Sequence, residues 1–397
     1  MRFEWGCLEL IYWDNAATTW PKPPTVRAAV QQGLTSLGGN PGRGGHHMSL
    51  FAAERMYDCR EAVASFFGLE DPSGVVFMPN CTAALNAVIH GILDDGGRVI
   101  ISDLEHNAVW RTVNALPGGR KHYDIAAWSS DEEETVENFR RAIRPDTRLI
   151  VCTHASNVFG VTLPIRRLAS LAHQYGLLIC VDAAQTAGVL PIDMQTDDLD
   201  YLCVAAHKGL YAPMGMGILL CRERTRVPSR IQGGTGSQSL LANQPSDLPE
   251  RLESGTPNLL GVCGLLAGVR FVQARGRDVV CAHEISLLSF VHQRLSNTQG
   301  IHLYTEKPVV GSFAPVLSVN VEGVSSESVA HILDGHRVAV RAGLHCAPLA
   351  HRRFGTLPDG TVRLAPSVFS TEREAETICK LFAQIAQKRL HIKKNML

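Results

Sequence analysis

Val204-Ala-Ala-His-Lys-Gly-Leu-Tyr-Ala-Pro-Met-Gly-Met-Gly-Ile218 decides how the rest of the chain is read. An apolar strand ends in a lysine, a Gly-rich turn follows, and a second apolar strand leaves it. An amine held just past a buried strand is kept from bulk water. That favours the neutral nucleophile a Schiff base with a carbonyl cofactor requires. A lysine in this position is, taken alone, more often a surface residue, so its neighbours carry the argument.

Working outward, β-branched runs at 97–102, 148–153, 177–182, Tyr201–Ala205 and Gly217–Cys221 alternate with helical patterns, which predicts a mainly parallel sheet with crossover helices. Between the second and third runs, Ile165, Leu168, Leu171 and Ala172 recur at helical spacing, with Pro164 before and Gly176 after. Ligands of such sheets bind beyond the carboxyl ends of the strands, which singles out Asn157, Asp182 and Lys208. Beyond about residue 260 the pattern changes. Two long helical stretches (262–276 and 278–298) precede strands at 316–321, 338–341 and 362–364, a helix at Ser326–Gly335 and a final helix from Thr371. The expected architecture is α/β: a large domain over residues 20–260, and a smaller α+β domain over 261–397 joined by residues 1–19.

At 397 residues, two cores are expected. The chain is 45% hydrophobic and 19% charged with a formal net charge of zero, so nothing asks for nucleic acid or an anionic membrane as partner. Residues 1–10 hold Glu4 and Glu9 and no continuous apolar run, and no stretch approaches the roughly 20 apolar residues of a membrane span. The expected compartment is the cytoplasm. Eleven cysteines are scattered with no CxxC pair, which fits neither a disulfide framework nor a zinc site, and no metal is expected. Most of them read as small buried hydrophobes.

Four further stretches carry chemistry. Asp182, in Val181-Asp-Ala-Ala-Gln-Thr186, ends an apolar strand. A carboxylate there is usually a cap, but it also suits a pyridine nitrogen whose protonation makes the ring an electron sink, with Gln185 donating to a ring oxygen. Asn80 or Thr82, in Phe77-Met-Pro-Asn-Cys-Thr-Ala-Ala-Leu-Asn86, opens a helical run. The bare N–H groups of such a terminus bind phosphate, although an ordinary capped helix looks the same. His106, in Asp103-Leu-Glu-His-Asn107, follows a strand where an imidazole can stack on a flat ring. Cys346, in Arg341-Ala-Gly-Leu-His-Cys346, lies on a Gly-containing loop near His345 and Arg341, a setting that lowers a thiol pKa.

Together these stretches resemble the class V aminotransferase superfamily, and within it the cysteine desulfurases and selenocysteine lyases. The likeness runs nearly end to end: Tyr12-Trp-Asp-Asn-Ala-Ala-Thr-Thr19, Gly39-Asn-Pro-Gly-Arg-Gly-Gly-His46, Ala206-His-Lys208, Glu253-Ser-Gly-Thr-Pro-Asn258 and Arg341 to Cys346 fall in the family's order. The resemblance implies a fold type I transferase dependent on pyridoxal 5'-phosphate (PLP). It implies that Lys208 carries the cofactor and moves the substrate proton, that Asp182 and Gln185 tune the ring, and that His106 stacks on it. Thr82, the backbone at Cys81, and His207 would hold the phosphate, joined by Thr256 from the second subunit of a homodimer. Arg363 would grip the substrate carboxylate, with Arg341 and His46 also on the substrate and Asn157 beside cofactor and substrate. Cys346 would accept sulfur from L-cysteine, or selenium from L-selenocysteine, and pass it to an acceptor protein. The compact spacing around Cys346 is that of the short-loop branch. Ala205, Ser370 and Trp13 depart from residues more usual in relatives. Selenocysteine lyase is the alternative reading, followed by another class V aminotransferase or lyase in which Cys346 is incidental. A silent PLP-fold scaffold would require a lost lysine or aspartate.

Overall fold

The computed structural model describes residues 10–42, 44–222 and 227–395. Residues 1–9, and Arg43 of the 39–46 motif, lie outside the described residues. Two units are formed: a larger one from residues 22–155 and 162–277, and a smaller one from the described parts of 1–21, 156–161 and 278–397.

After β1 (Ile11–Tyr12), which belongs to the smaller unit, the larger unit runs α1 (Pro24–Ser36), α2 (His47–Phe66), β2 (Val75–Met78), α3 (Cys81–Leu93), β3 (Arg98–Ser102) and α4 (Asn107–Ala115). It continues with β4 (Tyr123–Ala126), α5 (Glu132–Ala142), β5 (Thr147–Thr153), α6 (Ile165–Gln174), β6 (Leu178–Asp182), β7 (Tyr201–Ala205), β8 (Gly217–Cys221) and α7 (Leu259–Arg275). The strands form one seven-stranded sheet in the order β2-β8-β7-β6-β5-β3-β4. β3 to β7 pair in parallel, while β8 is antiparallel to both its neighbours. Leu149 to Cys152 and Tyr201 to Ala205 are all buried, the continuous burial expected of strands covered on both faces. On α6, Ile165, Leu168, Leu171 and Ala172 are buried, and Gly176 after the helix takes a left-handed φ of 68°.

The five anticipated strands occur within a residue of their expected bounds; β2 and β4 were not anticipated. β4 is an edge strand, Tyr-Asp-Ile-Ala, whose Asp124 pairs with Arg98. That charge breaks the apolar run by which a strand is recognised. The expected boundary near residue 260 also moves, because α7 packs with the larger unit. Its small residues let it lie against the turn after Lys208: a Cβ on Gly268 would stand 2.0 Å from the Leu210 carbonyl, and one on Gly264 2.4 Å from Pro213. Nothing in hydrophobic periodicity announces that contact.

The smaller unit adds α8 (Arg277–Ser296, from Asp278 on), β9 (Ile301–Leu303), β10 (Leu317–Val321), α9 (Ser326–Gly335), β11 (Val338–Ala339), β12 (Arg341–Gly343), α10 (Pro348–Arg353), β13 (Thr361–Leu364) and α11 (Glu372–Asn395). An antiparallel sheet in the order β12-β13-β10-β9 shares one core with the helices, and β1 pairs in parallel with β11. Trp13 is buried in that core with Leu288, Val319, Val362 and Phe382, and its indole N–H donates to Glu374. The core thus absorbs the unusual Trp13 and meets its polar requirement. Residues 156–161 belong to this unit through backbone bonds such as Ala314 N to Gly160 O at 2.9 Å.

Candidate active site

In the larger unit, the carboxyl ends of β6 and β7 and the start of α3 collect one set of polar residues. Asp182, the last residue of β6, pairs across the sheet with Cys203 of β7. Beyond these strands the turns are clasped by glycines. A Cβ on Gly209, next to Lys208, would lie 2.2 Å from the Ala187 carbonyl, and one on Gly188 would lie 2.4 Å from the Gly209 carbonyl. Only glycine allows two backbones so close. The turn carrying Lys208 is fixed further by Lys208 N–H to Ala205 O at 3.1 Å and Tyr211 N–H to Lys208 O at 2.8 Å.

A third close approach brings in α3. Gly217 of β8 abuts the backbone of Asn80, where a Cβ would stand 2.2 Å away. Asn80 caps the helix by accepting the Ala83 N–H at 2.9 Å. The N–H groups of Cys81 and Thr82, in the first turn, are left outside the helical ladder, with the positive end of the dipole behind them. The Cys81 side chain points inward: its thiol donates to Asp182 Oδ1 at 3.4 Å, and the Ala184 N–H donates to the same oxygen at 2.9 Å. Burial first, and then the Asp182 charge, push the Cys81 thiol well above its usual pKa, while Lys208 works against them.

His106 caps α4, its Nδ1 accepting the Ala108 N–H at 3.0 Å. That bond fixes the ring's tautomer with hydrogen on Nε2. Just before it, Glu105 is wholly buried and bonds to the Ser102 hydroxyl and the Thr153 N–H, tying the ends of β3 and β5 together. Burial raises its pKa to about 8. His207 is pushed down to about 4, by burial first and then by the charges of Lys208 and Lys22, so its imidazole is neutral. Lys22 Nζ donates to the His207 carbonyl at 2.6 Å. Its own pKa falls to about 8 because it is partly buried.

The smaller unit collects a second set. Gly343, at φ 95°, takes the chain out of β12, and His345 and Cys346 follow in the left-handed region at 47° and 58°. Two consecutive non-glycine residues there cost of order 1–2 kcal/mol each, so the turn is held by its surroundings. His345 is buried with its Nε2 bonded to the Thr361 carbonyl at 2.9 Å, and the Asn157 amide donates to the His345 carbonyl at 2.7 Å. Burial, followed by the Arg363 charge, lowers His345 to about 2. It is an anchor of the turn and not an acid or base for the neighbouring thiol. The cation near the Cys346 thiol is Arg341, whose Nη2 lies 3.9 Å from Sγ.

Arg363 of β13 is 1% exposed. Its Nη1 donates to the Asn157 carbonyl at 3.0 Å and its Nη2 to Asp14 at 2.9 Å. The Arg363 Nε and the Asn157 Oδ1 are buried without a hydrogen-bond partner. Such atoms are costly unless something binds them. Nη2 keeps a second hydrogen, so the Nε–Nη2 edge still offers a two-pronged donor to a carboxylate.

Lys208, Asp182, Gln185, His207, Cys81, Thr82 and His106 therefore stand at strand ends or helix starts of the larger unit, and Cys346, Arg341, Asn157 and Arg363 in the smaller. The two remaining expected residues are exposed. His46 is an exposed cap of α2, accepting the Ser49 N–H. Thr256 is exposed and lines a cleft of about 1010 Å³ with Phe77, Asn86 and Arg230, which neither Lys208 nor Asp182 lines. Sequence reasoning did not single out Asp14, which holds Arg363 in the smaller unit, or Lys22 and Glu105 of the larger one. Asp14 lies within the quoted Tyr12–Thr19 motif, but its partner Arg363 is 349 residues away. The departures at Ala205 and Ser370 are accommodated locally: Ala205 O accepts the Lys208 N–H, and Ser370 Oγ accepts the Ser367 N–H.

A seven-stranded, mainly parallel sheet with a lysine turn beyond its strand ends, accompanied by a small α+β unit, is the architecture of the fold type I transferases. The family model for class-V aminotransferases matches residues 11–378, and the chain belongs to that family. Probable cysteine desulfurases from Synechocystis sp. and Vibrio cholerae are each 30% identical to it. The first match covers 95% of this chain and 90% of the relative, the second 93% and 92%. The apo structure of a cysteine desulfurase from Thermococcus onnurineus superposes with a TM-score of 0.86 at 29% identity, over 96% of this chain and 95% of that one.

Proposed function

We propose that this protein is a PLP-dependent cysteine desulfurase: it takes sulfur from L-cysteine as a persulfide on Cys346 and releases L-alanine. The observation that carries the reading beyond the family is the state of the thiols. Of the ten described cysteines, all free, nine are buried and Cys346 alone is partly exposed. A buried thiol next to carboxylates is inert; a partly exposed thiol beside a guanidinium is a nucleophile.

The larger unit fits the cofactor by the chemistry of its donors. A dianionic phosphate suits the N–H groups of Cys81 and Thr82 with the neutral His207, a ring nitrogen suits Asp182, and a flat ring suits the His106 imidazole, with Gln185 at a ring oxygen. When bound, PLP withdraws electrons from the substrate α-carbon. Lys208 would hold the cofactor through its amine and would move the substrate α-proton. Asp182 keeps the proton on the ring nitrogen. Arg363 offers its Nε–Nη2 edge to the substrate carboxylate, and the Asn157 Oδ1 is left to accept a hydrogen from an O–H or N–H group of cofactor or substrate. The Cys346 thiolate attacks the substrate sulfur; the substrate's C–S bond breaks, and the carbon skeleton leaves as alanine after protonation.

The test is to supply L-cysteine to the reconstituted enzyme and measure alanine together with persulfide on the protein. Stoichiometric persulfide mapped to the peptide holding Cys346, with one alanine per sulfur, is the expected result. Pyruvate in place of alanine, or amino-group transfer to a keto acid, would place the chain with the lyases or transaminases of its family. L-Selenocysteine run in parallel ranks the two substrates.

The same reading makes the protein a cytoplasmic homodimer, since reduced thiols suit a reducing compartment and Thr256, exposed on its own chain, is free to serve a second one. Among the described residues no single helix is long and apolar enough to cross a membrane. Met48, Phe51 and Tyr57 of α2 are at least half exposed, as suits a face that a second copy covers. Light scattering is expected to give about twice the 43.2 kDa chain mass; a 43.2 kDa particle at working concentration removes Thr256 from the phosphate site.

A further inference from the structure

Cys81 enters the proposed function only through its backbone N–H, yet its side chain makes the more unusual contact. Here the thiol is buried and directed at Asp182 Oδ1, which also takes the Ala184 N–H. Oδ1 therefore has two donors, and Oδ2 is the oxygen left for a ring nitrogen. Around them the strand ends are lined with further thiols, Cys180 and Cys203 lying 3.7 Å apart, and with the buried Val181. In such surroundings each donor to a carboxylate weighs heavily.

We propose that Cys81 is a positioning residue for the cofactor ring: its S–H bond to Asp182 Oδ1 sets how strongly Oδ2 competes for the proton shared with the ring nitrogen. The inference rests on the PLP reading of the site. The thiol stays protonated because burial and the Asp182 charge both oppose its ionisation, so it acts as a donor throughout. Sulfur gives a longer and weaker bond than oxygen. A thiol therefore fixes the carboxylate's orientation while leaving more negative charge on it than a hydroxyl does. Removing the donor makes the carboxylate bind a proton more readily, and the ring nitrogen loses its share. Replacing the thiol with a hydroxyl does the reverse. A purely structural role for the side chain predicts no such opposition.

The experiment reconstitutes wild type, Cys81→Ala and Cys81→Ser with PLP labelled with ¹⁵N in the ring and reads the nitrogen chemical shift by NMR. In Cys81→Ala the resonance is expected to move toward that of unprotonated pyridine. In Cys81→Ser it is expected to stay at the wild-type position or to move the opposite way. An unmoved resonance in Cys81→Ala, or the same displacement in both variants, overturns the inference. A second measurement needs no cofactor. In the apoprotein, the infrared S–H stretching band that disappears in Cys81→Ala should rise in frequency in Asp182→Ala, and a band that does not shift also overturns the inference. Wild type that takes up no PLP gives no nitrogen signal at all, which marks the failure of the underlying reading rather than of the Cys81 contact.

Discussion

Lys208→Ala is expected to abolish the covalent cofactor adduct that borohydride traps, and to lower alanine release from L-cysteine by about 10³-fold or more, because the variant loses both the attachment point and the base that moves the α-proton. The environment of the lysine separates these losses from unfolding. Its turn is built by main-chain contacts: the Gly188 and Gly209 approaches and the hydrogen bonds of the Lys208 N–H and C=O groups. None of them needs the side chain beyond Cβ, so the turn should survive the substitution. The groups assigned to phosphate and ring also remain. Noncovalent uptake of PLP should therefore persist with a changed absorption band. Two assays thus give different answers on one variant: binding retained, attachment lost. A trapped adduct of undiminished yield in Lys208→Ala would move the attachment to another amine. Lys22 is the first to examine, since it touches the His207 carbonyl and its pKa falls to about 8.

Local pattern made the strands and the lysine turn legible, because burial on both faces leaves apolar runs that read directly. The same holds for α6, whose apolar stripe lies between Pro164 and Gly176. What was hidden depends on tertiary contact. β4 carries an edge charge, so it lacks an apolar run. α7 looks like the start of a second domain until Gly264 and Gly268 are seen against Pro213 and Leu210. Lys208 and Asp182 of the larger unit, and Arg363 and Cys346 of the smaller, were nameable by type and order. His345, next to Cys346 in sequence, invited a role in activating its thiol. The structure gives it a buried, neutral, anchoring role instead, and Arg341, five residues upstream of Cys346, is the cation in reach. Adjacency in sequence says little about side-chain direction in a turn where two consecutive residues are left-handed. Glu105 and Asp14 were invisible for a different reason: a carboxylate reads as surface or cap until the structure shows it buried against Ser102 or Arg363.

The Cys346→Ser variant separates a desulfurase from the other enzymes of its family. Serine keeps the Cβ and nearly the same volume, so the left-handed turn, the His345 anchor and the Asn157 bond to the His345 carbonyl should all be retained. Cofactor uptake and the change in absorption on adding L-cysteine should be close to wild type. What is lost is the nucleophile. A hydroxyl at neutral pH holds almost no anion and has little affinity for divalent sulfur, whereas the Cys346 thiol stands 3.9 Å from the Arg341 guanidinium. The expected result is no persulfide on the 341–352 segment and a fall in alanine output of about 10²-fold or more, with substrate binding changed far less. A drop confined to kcat, with KM preserved, assigns Cys346 to the sulfur-transfer step and leaves carboxylate binding to Arg363. Full alanine production by Cys346→Ser would mean that the C–S bond breaks without the Cys346 thiol. The buried cysteines among the described residues are shut away from solvent, so the sulfur would then pass to a thiol supplied from outside, and Cys346 would be incidental to the release of alanine.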